Sequence, residues 1–506
     1  MIGRARSIAL TGLTGHVIDI EAHIAASLPA FTLVGLPDAA LQESRDRVRA
    51  AVGSSGLTWP NRRITVNLSP ASLPKSGSGT DLGIAVAIMA AAGLVDAKAA
   101  RRLAYLGELG LDGRVRPIRG ILPAVAAAVE AGLTDVVVPA GNAEEARLVP
   151  GAVVTAVATL AELARRLGND DAVAAADAVV LPQAVSVDSG VPAGDLADVR
   201  GQADARWALE VAAAGGHHLL MVGPPGAGKT MLASRLPGIL PDLQPEDAVA
   251  ATSVHSLAGT FDAASGLLRR PPFEAPHHSA SAAAIVGGGS LLARPGAISR
   301  AHGGVLFLDE APEFSVHVLQ TLRQPLESGQ IVLHRAHGAV RYPARFQLVL
   351  AANPCPCGKF YGPAGACSCT AIVRRRYFGR LSGPLLDRVD IQLDVHPVRR
   401  GEAAAGEPSE VVAARVREAR ERARSRHGDL GVLSNAQLPG SWLRSATSAS
   451  AARPAYAAVD RGALTARGLD RVLRVAWTIA DLAGLAQPGE DEVLRAMALR
   501  TRGEPG

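Results

Sequence analysis

Residues 223–230, GPPGAGKT, have the residue types and spacing of a phosphate-binding loop. The glycines allow the backbone to wrap a phosphate chain, and the N–H groups at the start of the following helix attract its negative charge. We expect Lys229 to reach the β- and γ-phosphates and Thr230 to bind Mg²⁺. A glycine-rich turn is the alternative, but a predicted strand before the loop and a helix after it favour the nucleotide site. The predicted nucleotide-binding residues are Gly223, Pro224, Pro225, Gly226, Ala227, Gly228, Lys229 and Thr230.

Two further apolar runs end in polar residues that would complete this chemistry. Residues 303–310, GGVLFLDE, predict a buried strand with Asp309 and Glu310 at its carboxyl end. We expect Asp309 to hold Mg²⁺ through water and Glu310 to polarise the attacking water. Residues 346–354, FQLVLAANP, predict another buried strand, and the amide of Asn353 would orient that water beside the γ-phosphate. Acids at a strand end are common, but their order behind a phosphate-binding loop favours the catalytic interpretation.

All four cysteines of the chain lie in residues 352–369, ANPCPCGKFYGPAGACSC. Their order is C-x-C, nine residues, C-x-C, which is tighter than the usual spacing of zinc sites, but glycines between the pairs would let the loop turn back. Four free thiols or two disulfides are the alternatives, and a reducing compartment favours a metal. We therefore predict a structural Zn²⁺ site, bracing the loop that leaves Asn353, formed by Cys355, Cys357, Cys367 and Cys369.

Length and composition bound the class of protein. The chain has 506 residues, which predicts more than one domain, and its 48% hydrophobic and 20% charged residues are typical of a globular protein. A net charge of +5 permits a polyanionic partner without requiring one. The N-terminal residues do not have the pattern of a signal peptide. The longest apolar stretch, residues 82–95, is short of the roughly 20 residues of a membrane helix. We therefore expect a cytoplasmic protein without membrane contact.

The pattern of apolar residues divides the chain into four parts. Residues 1–167 alternate short strands with helices and predict an α+β domain. Residues 168–195 lack clear structural signals and are interpreted as a linker. Residues 196–397 alternate buried strands and helices, which predicts an α/β core with a parallel sheet. Residues 398–506 are helical and predict a C-terminal lid domain.

Four long phrases of the sequence resemble one family. They are residues 269–289 (RRPPFEAPHHSASAAAIVGGG), 293–314 (ARPGAISRAHGGVLFLDEAPEF), 352–358 (ANPCPCG) and 381–391 (LSGPLLDRVDI). Together with the order of the nucleotide motifs, they resemble AAA+ ATPases of the magnesium-chelatase-like ComM/YifB family, over nearly the whole chain. The resemblance implies ATP and Mg²⁺ as cofactors, a homo-hexameric ring, and a DNA helicase activity that drives branch migration in homologous recombination during natural transformation.

The resemblance also implies arginines that respond to the γ-phosphate. Rings of this kind bind ATP between subunits, and the likeness gives the arginine that comes from the neighbour as Arg388, with Arg380 as the alternative. A second arginine is expected at the start of a lid helix, where Arg467 is the first candidate. Arg471 and Arg474 follow at helical spacing and are further candidates.

Residues 329–346 predict a β-hairpin just before the strand that ends in Asn353. The resemblance implies that this hairpin grips DNA in the channel of the ring, through phosphate contacts that do not read sequence. A hairpin with a solvated tip is the alternative. The adjacent pair His277 and His278 lies in a glycine-rich segment that we interpret as a DNA or inter-subunit loop rather than a metal site. The candidate DNA-binding residues of the hairpin are His334, Arg335, His337 and Arg341.

Residues 74–91 and 107–142 resemble the proteolytic domain of Lon. Lon uses a serine and a lysine, and these positions correspond here to Gly79 and Leu122, so the resemblance implies a catalytically inactive Lon-like domain. Two alternatives to a DNA motor stay open. One is a magnesium-chelatase-type ATPase subunit that acts with a metal-insertion partner, and the other is an ATP-dependent protein remodeller.

Overall fold

The computed structural model of this chain describes nine stretches of it. These are residues 2–35, 39–71, 73, 78–173, 194–289, 294–335, 338–360, 367–398 and 405–500. Most of the predicted linker, residues 174–193, therefore lies outside the described residues.

The N-terminal part folds around a seven-stranded mixed sheet. Its elements are β1 (Ile2–Thr11), β2 (Thr14–Ala25), β3 (Ala30–Val34), α1 (Ala39–Ser54), β4 (Arg63–Ser69), α2 (Asp81–Ala92), α3 (Ala97–Arg102), β5 (Ala104–Tyr105), β6 (Glu108–Leu109), β7 (Val115–Arg116), α4 (Ile121–Glu130), β8 (Asp135–Pro139), α5 (Ala143–Ala146), β9 (Val153–Val157) and α6 (Leu160–Arg166).

The strand order of this sheet is β3-β4-β2-β1-β5-β8-β9, with antiparallel pairs at β1–β2 and β2–β4 and parallel pairs elsewhere. In β4 every second side chain, Ile64, Val66 and Leu68, is fully buried, as the period of two in a half-buried strand requires. Helix α2 is buried along nearly its whole length against one face, and α4 packs on β1 and β2 from the other. The strands predicted from residues 63–70 and 135–140 are confirmed as β4 and β8.

A five-stranded parallel sheet forms the second part, in the order β11-β14-β17-β10-β18, which confirms an α/β fold. Every residue of β10, β14 and β17 is buried, because helices cover both faces of this sheet. The elements are α7 (Ala203–Gly215), β10 (Leu219–Val222), α8 (Lys229–Ile239), α9 (Pro245–Ala258), β11 (Phe273–Glu274), α10 (Ala282–Val286), β12 (Gly287–Gly288), β13 (Arg294–Pro295), α11 (Ala297–Arg300), β14 (Val305–Leu308), α12 (Val316–Thr321), α13 (Arg323–Ser328), β15 (Gln330–Arg335), β16 (Gly338–Pro343), β17 (Gln347–Ala352), α14 (Ala371–Gly379), α15 (Gly383–Leu386) and β18 (Ile391–Asp394).

Five helices follow and share a hydrophobic core with one face of this sheet. The amphipathic helix α19 buries Val472, Leu473 and Ala476 in the same cluster as Leu219 of β10 and Leu232 of α8. The helical part is therefore packed against the parallel-sheet part rather than folded around a core of its own. Its helices are α16 (Ser409–His427), α17 (Gly440–Ala446), α18 (Ala449–Asp460), α19 (Ala466–Leu482) and α20 (Glu490–Ala498).

The N-terminal part contacts the parallel-sheet part through α4 and through the turn between β1 and β2. The backbone N–H of Gly120 donates to the carbonyl oxygen of Ser256, the antepenultimate residue of α9, over 3.4 Å. The turn between β1 and β2 lies against β16, so that a Cβ atom on Gly12 would come within 2.8 Å of the Val340 side chain. The hairpin β15–β16 is therefore in contact with the N-terminal part. No helix in the described part of the chain combines the length and apolar character needed to cross a membrane.

Candidate active site

The loop between β10 and α8 has the backbone that its glycines allow. Gly226 and Gly228 have φ angles of +78° and +88°, which side-chain-bearing residues rarely adopt. Gly223 is required for a different reason, because a Cβ atom there would overlap the carbonyl oxygen of Val395 after β18. The N–H of Gly223 donates to Ala352 at the end of β17 (3.2 Å). The loop is thus fixed between the carboxyl ends of β17 and β18, the strands on either side of β10.

Lys229 begins α8 and folds back over this loop. Its Nζ donates to the carbonyl oxygens of Gly223 (2.6 Å) and Pro224 (2.9 Å) and to Oδ1 of Asn353 (3.2 Å). Burial lowers the pKa of Lys229, and the charges of Asp309 and Glu310 partly offset this effect. Lys229 and Asn353, each predicted to act near the γ-phosphate, therefore lie in contact at the carboxyl edge of the sheet.

Thr230 and Asp309 form the second part of the site. Oγ1 of Thr230 donates to Oδ2 of Asp309 over 2.6 Å, and the other carboxylate oxygen accepts from the backbone N–H of Glu310 (2.9 Å). A hydroxyl and a carboxylate at this distance fit the usual ligands of Mg²⁺ beside a nucleotide. The structure thus brings together the two residues that the sequence predicts as Mg²⁺ ligands.

Glu310 lies at the end of β14 in an unusual backbone conformation, with a φ of +50°. Residues held in the left-handed region are often found where strain serves a function. Its carboxylate lies 3.4 Å from Nδ1 of His278, whose ring contacts the edge of Phe314. The sequence singled out His278 only as part of a histidine pair, because nothing in its local pattern indicates a carboxylate partner that lies more than 30 positions away. His278 is thus a site neighbour that the sequence analysis missed.

Gln202 approaches the same loop from the segment before α7. It adopts a left-handed conformation (φ +50°), and its Nε2 donates to Ala227 (2.5 Å) and to His396 (3.2 Å). The side chain thereby joins the phosphate-binding loop to the residues after β18.

The four cysteines form one cluster beside this site. Their sulfur atoms all lie within 4.8 Å of one another, and Cys355 Sγ is 3.3 Å from Cys357 Sγ and 3.6 Å from Cys367 Sγ. Tetrahedral Zn²⁺ with Zn–S bonds of about 2.3 Å requires sulfurs roughly 3.8 Å apart. All four cysteines are free, and a hydrogen bond from the Lys359 backbone together with the neighbouring thiol of Cys355 lowers the pKa of Cys357 to about 6. The cluster could hold a metal ion, and its donor set suits zinc.

The cysteine cluster packs directly on the phosphate-binding loop. A Cβ atom on Gly358 would come within 2.7 Å of the Pro225 ring. On its other side, the guanidinium of Arg374 in α14 lies 3.8 Å from the centre of the Phe360 ring and donates to the carbonyl oxygen of Cys369 (2.9 Å). The cluster thus joins the nucleotide loop to α14.

We predict that the protein, purified without added metal, contains about one zinc ion per chain. Cys367→Ser is expected to lower this content to less than a fifth, because three thiolates bind Zn²⁺ more weakly than four. Ser368→Ala, a neighbouring change that leaves all thiols in place, should retain the metal. Elemental analysis measures the content, and less than about half an equivalent in the unaltered protein would contradict the zinc site.

Arg388 lies at the edge of the parallel sheet opposite the phosphate-binding loop. Arg388 precedes the amino end of β18, whereas the phosphate-binding loop follows the carboxyl end of the adjacent parallel strand β10. A strand of four residues separates these edges by roughly 10 Å, before the side chains are considered. Arg388 is therefore not positioned to contact a nucleotide bound by its own chain.

Arg467 lies on the same side as Arg388. Both line a cleft of about 760 Å³. Arg471, one turn further along α19, donates to the carbonyl oxygen of Asp387 (2.6 Å) and pairs with the buried carboxylate of Asp390. Burial by itself would raise the pKa of Asp390, but Arg471 and two histidines hold it well below its ordinary value. The arginines that line this cleft are Arg345, Arg388, Arg420, Arg467, Arg471 and Arg474.

Arg380, the alternative to Arg388, lies elsewhere. It donates to the carbonyl oxygen of Pro312 (3.1 Å) and to the Glu313 carboxylate (3.2 Å). Both partners follow Glu310 closely in the chain, so Arg380 is on the same side of the sheet as Asp309 and Glu310 of its own chain. The two candidate arginines are thus at different edges of the sheet.

Sequence comparison relates three stretches of the chain to magnesium chelatase. A family model described as subunit ChlI of Mg-chelatase matches residues 20–142, one described as magnesium chelatase, subunit ChlI, matches residues 195–403, and one for the C-terminal part of ChlI matches residues 406–500. The competence protein ComM of Haemophilus influenzae is 40% identical over 500 residues, which cover 98% of this chain and 96% of that protein. The chain belongs to the magnesium-chelatase-like ComM/YifB family.

Other relatives match over similar lengths. The uncharacterized protein YifB of Escherichia coli is 40% identical over 480 residues, covering 94% of this chain and 92% of YifB. An uncharacterized protein of Mycobacterium tuberculosis is 52% identical over 510 residues, covering 99% of both chains. A more limited likeness joins this ComM/YifB family member to the Lon protease of Salinispora arenicola, with 33% identity over 172 residues, 32% of this chain and 22% of Lon.

The family carries a magnesium-chelatase AAA+-like domain, which indicates ATPase activity. In this ComM/YifB family member the predicted hairpin is formed by β15 and β16. His334 and Arg341 are exposed, and the strand register puts them on the same face as diagonal neighbours. Arg335 belongs to β15, and the prediction for His337 falls outside the described residues.

The two positions that correspond to the Lon dyad have no catalytic groups. Gly79 lacks a side chain, and a Cβ atom there would lie 3.4 Å from Ile118. Leu122 is 1% exposed and belongs to the hydrophobic core beneath α4. Neither residue at these positions carries a nucleophilic or basic group.

Proposed function

We propose that this ComM/YifB family member is a ring-forming ATPase that moves branched DNA. The observation that carries this proposal is the separation of its two sets of functional groups. The phosphate-binding loop, the acids and Asn353 lie at the carboxyl edge of the sheet, and Arg388 and Arg467 lie at the amino edge. Because one chain cannot bring both sets to one nucleotide, a complete site needs a second copy.

Within one subunit, each group has a role that its contacts support. Lys229 would exchange its bonds to backbone carbonyls for oxygens of the β- and γ-phosphates. Thr230 and Asp309 would hold Mg²⁺, which neutralises charge that develops on the phosphates. Glu310 would accept a proton from the attacking water, and Asn353 would orient that water through its amide.

The neighbouring subunit would supply the remaining positive charge. Burial and the nearby arginines, Arg471 first among them, lower the pKa of Arg388, so its guanidinium lies among other positive charges. A γ-phosphate from the next subunit would add negative charge here and would be stabilised most in the transition state, where its charge is spread. Repetition of one such interface closes a ring, and we propose the homo-hexamer that the family resemblance implies.

DNA is the proposed substrate of the motor. The exposed face of the hairpin that carries His334 and Arg341 supports phosphate contacts without base recognition. Full-length likeness to the competence protein ComM supports the same partner. We further propose that the protein works in the cytoplasm, in homologous recombination that includes natural transformation, and that the Lon-like domain is catalytically inactive.

Branched DNA is expected to raise ATP hydrolysis several-fold, and ATP should drive strand displacement on a three-stranded junction. Arg341→Ala should weaken DNA binding by about tenfold and lower the slope of log Kd against log salt by about one, because one phosphate contact is lost. Arg417→Ala, a change on the exposed face of α16, is the matched control. Hydrolysis that ignores every form of DNA would contradict the motor and favour a protein or porphyrin partner.

A further inference from the structure

Arg388, the arginine proposed to act on the neighbour's γ-phosphate, is paired with a carboxylate of its own chain. Its guanidinium forms an ion pair with Glu327 near the end of α13. The side chain of Arg388 is 17% exposed and that of Glu327 is 66% exposed, so the carboxylate covers the arginine from the solvent side. Nε of Arg388 and Nε of Arg323 are buried without a hydrogen-bond partner among the described residues.

We propose that Glu327 is a positioning residue that restrains Arg388 while the hairpin is free, and that DNA on the hairpin releases it. This inference rests on the proposed function, because it deepens the role of Arg388 toward the neighbour's γ-phosphate. Glu327 competes with that phosphate for the same guanidinium. Hydrolysis would therefore be slow in a ring without DNA and faster once the carboxylate is withdrawn.

The connection from Glu327 to the hairpin is short and direct. Helix α13 ends at Ser328, and only Gly329, with a φ of +66°, separates it from β15. The carbonyl oxygen of Gly329 accepts from the N–H of Ala344 (2.8 Å), just after β16, so this residue also closes the base of the hairpin. Both Glu327 and this base line the arginine cleft. A displacement of the hairpin is thereby transmitted to α13 within three residues.

The backbone around Arg388 is held firmly, so its side chain is the movable part. The N–H groups of Asp390 and Ile391 both donate to the carbonyl oxygen of His218 (3.1 Å). Arg471 fixes the carbonyl of Asp387 from the opposite side. Because the main chain is anchored on both sides, the position of the guanidinium depends on two groups, the carbonyl oxygen of Pro384, to which it donates (2.5 Å), and the Glu327 carboxylate, which alone carries a charge.

The expected size of the effect follows from the exposure of Glu327. An ion pair with one well-exposed partner shifts an equilibrium by only a small factor, and salt screens it further. We therefore expect Glu327→Gln, which keeps the shape and removes the charge, to raise the DNA-independent kcat by roughly two- to fivefold at low salt. The KM for ATP should change less than kcat, because Arg388 would act most strongly on the charge that is spread over the γ-phosphate in the transition state. Stimulation by DNA should shrink by the same factor.

Glu313→Gln is the matched control, because Glu313 forms a comparable ion pair with the other candidate arginine, Arg380. It should leave the DNA-independent rate unchanged. The double variant Glu327→Gln/Arg388→Ala should lose the gain, since Glu327 acts only through Arg388. Light scattering at the assay concentration identifies any change in assembly.

The outcomes separate this inference from the proposed function. A raised basal kcat in Glu327→Gln, absent in both comparison variants and without a change in assembly, supports the restraint even if no DNA stimulates the unaltered protein. DNA stimulation of the unaltered protein together with an unchanged basal kcat in Glu327→Gln overturns the restraint and leaves the motor intact. A gain that is explained by altered assembly, or that persists in the Arg388→Ala background, also overturns it.

Discussion

Lys229→Ala is expected to lower ATP hydrolysis by about a hundred- to a thousandfold. The change removes the charge that would follow the β- and γ-phosphates into the transition state, and a preorganised donor of this kind contributes about 3–4 kcal/mol. It also leaves Oδ1 of Asn353 without the contact that Lys229 makes at 3.2 Å. Phosphate release at saturating ATP measures the loss, and a fluorescent nucleotide measures binding.

The control for this variant is Lys98→Ala, a change of an exposed lysine at a distant position in α3. It should retain full activity. The thermal unfolding midpoint of Lys229→Ala should not fall, because the substitution removes a buried cation from the protein without nucleotide. A Lys229→Ala protein that hydrolyses ATP within tenfold of the unaltered rate would contradict the nucleotide site itself.

Arg388→Ala is expected to retain nucleotide binding and to lose about a thousandfold in hydrolysis, in the range measured for arginines that act on a neighbour's γ-phosphate. The decisive test mixes this variant with Lys229→Ala. Each protein alone is inactive, one because it lacks the arginine and the other because it lacks the phosphate-binding lysine. Mixed rings contain interfaces at which an intact loop meets an intact arginine, so activity should return.

The expected recovery has a definite size. Random assembly of equal amounts puts the two intact halves together at about one interface in four, so the mixture should reach roughly a quarter of the unaltered rate. Arg380→Ala mixed with Lys229→Ala provides the comparison for the other arginine, which lies on the side of its own acids. Arg388 is not the shared group if its mixture stays inactive although light scattering shows that the two variants assemble together.

Much of the nucleotide site was predictable because its parts are local. The phosphate-binding loop is one continuous segment, and its lysine and threonine follow from the spacing of the motif alone. Asp309 and Asn353 come from two other strands, but both stand at strand ends. Parallel strands with buried runs put such ends at a common edge, so the pattern of apolar residues was sufficient to bring them near the loop.

The arginines could not be assigned in this way. Arg380 and Arg388 are eight residues apart, and only the family resemblance favoured Arg388. In the structure β18 begins just after Arg388, and the direction of this strand puts Arg388 at the far edge of the sheet. Arg467 lies there as well, because α19 packs so that Arg471 reaches Asp387 and Asp390. Only the direction of the strands in the sheet and the packing of α19 decide these positions.

The sequence by itself determined the family, the α/β fold, and the residue types for ATP and a metal. The tertiary structure decided which side chains face one another across long sequence separations. His278 meets Glu310, Gly358 packs on Pro225, and Glu327 pairs with Arg388. None of these contacts leaves a periodic or spacing signal, because each depends on how loops and helix ends are packed rather than on the pattern within one element.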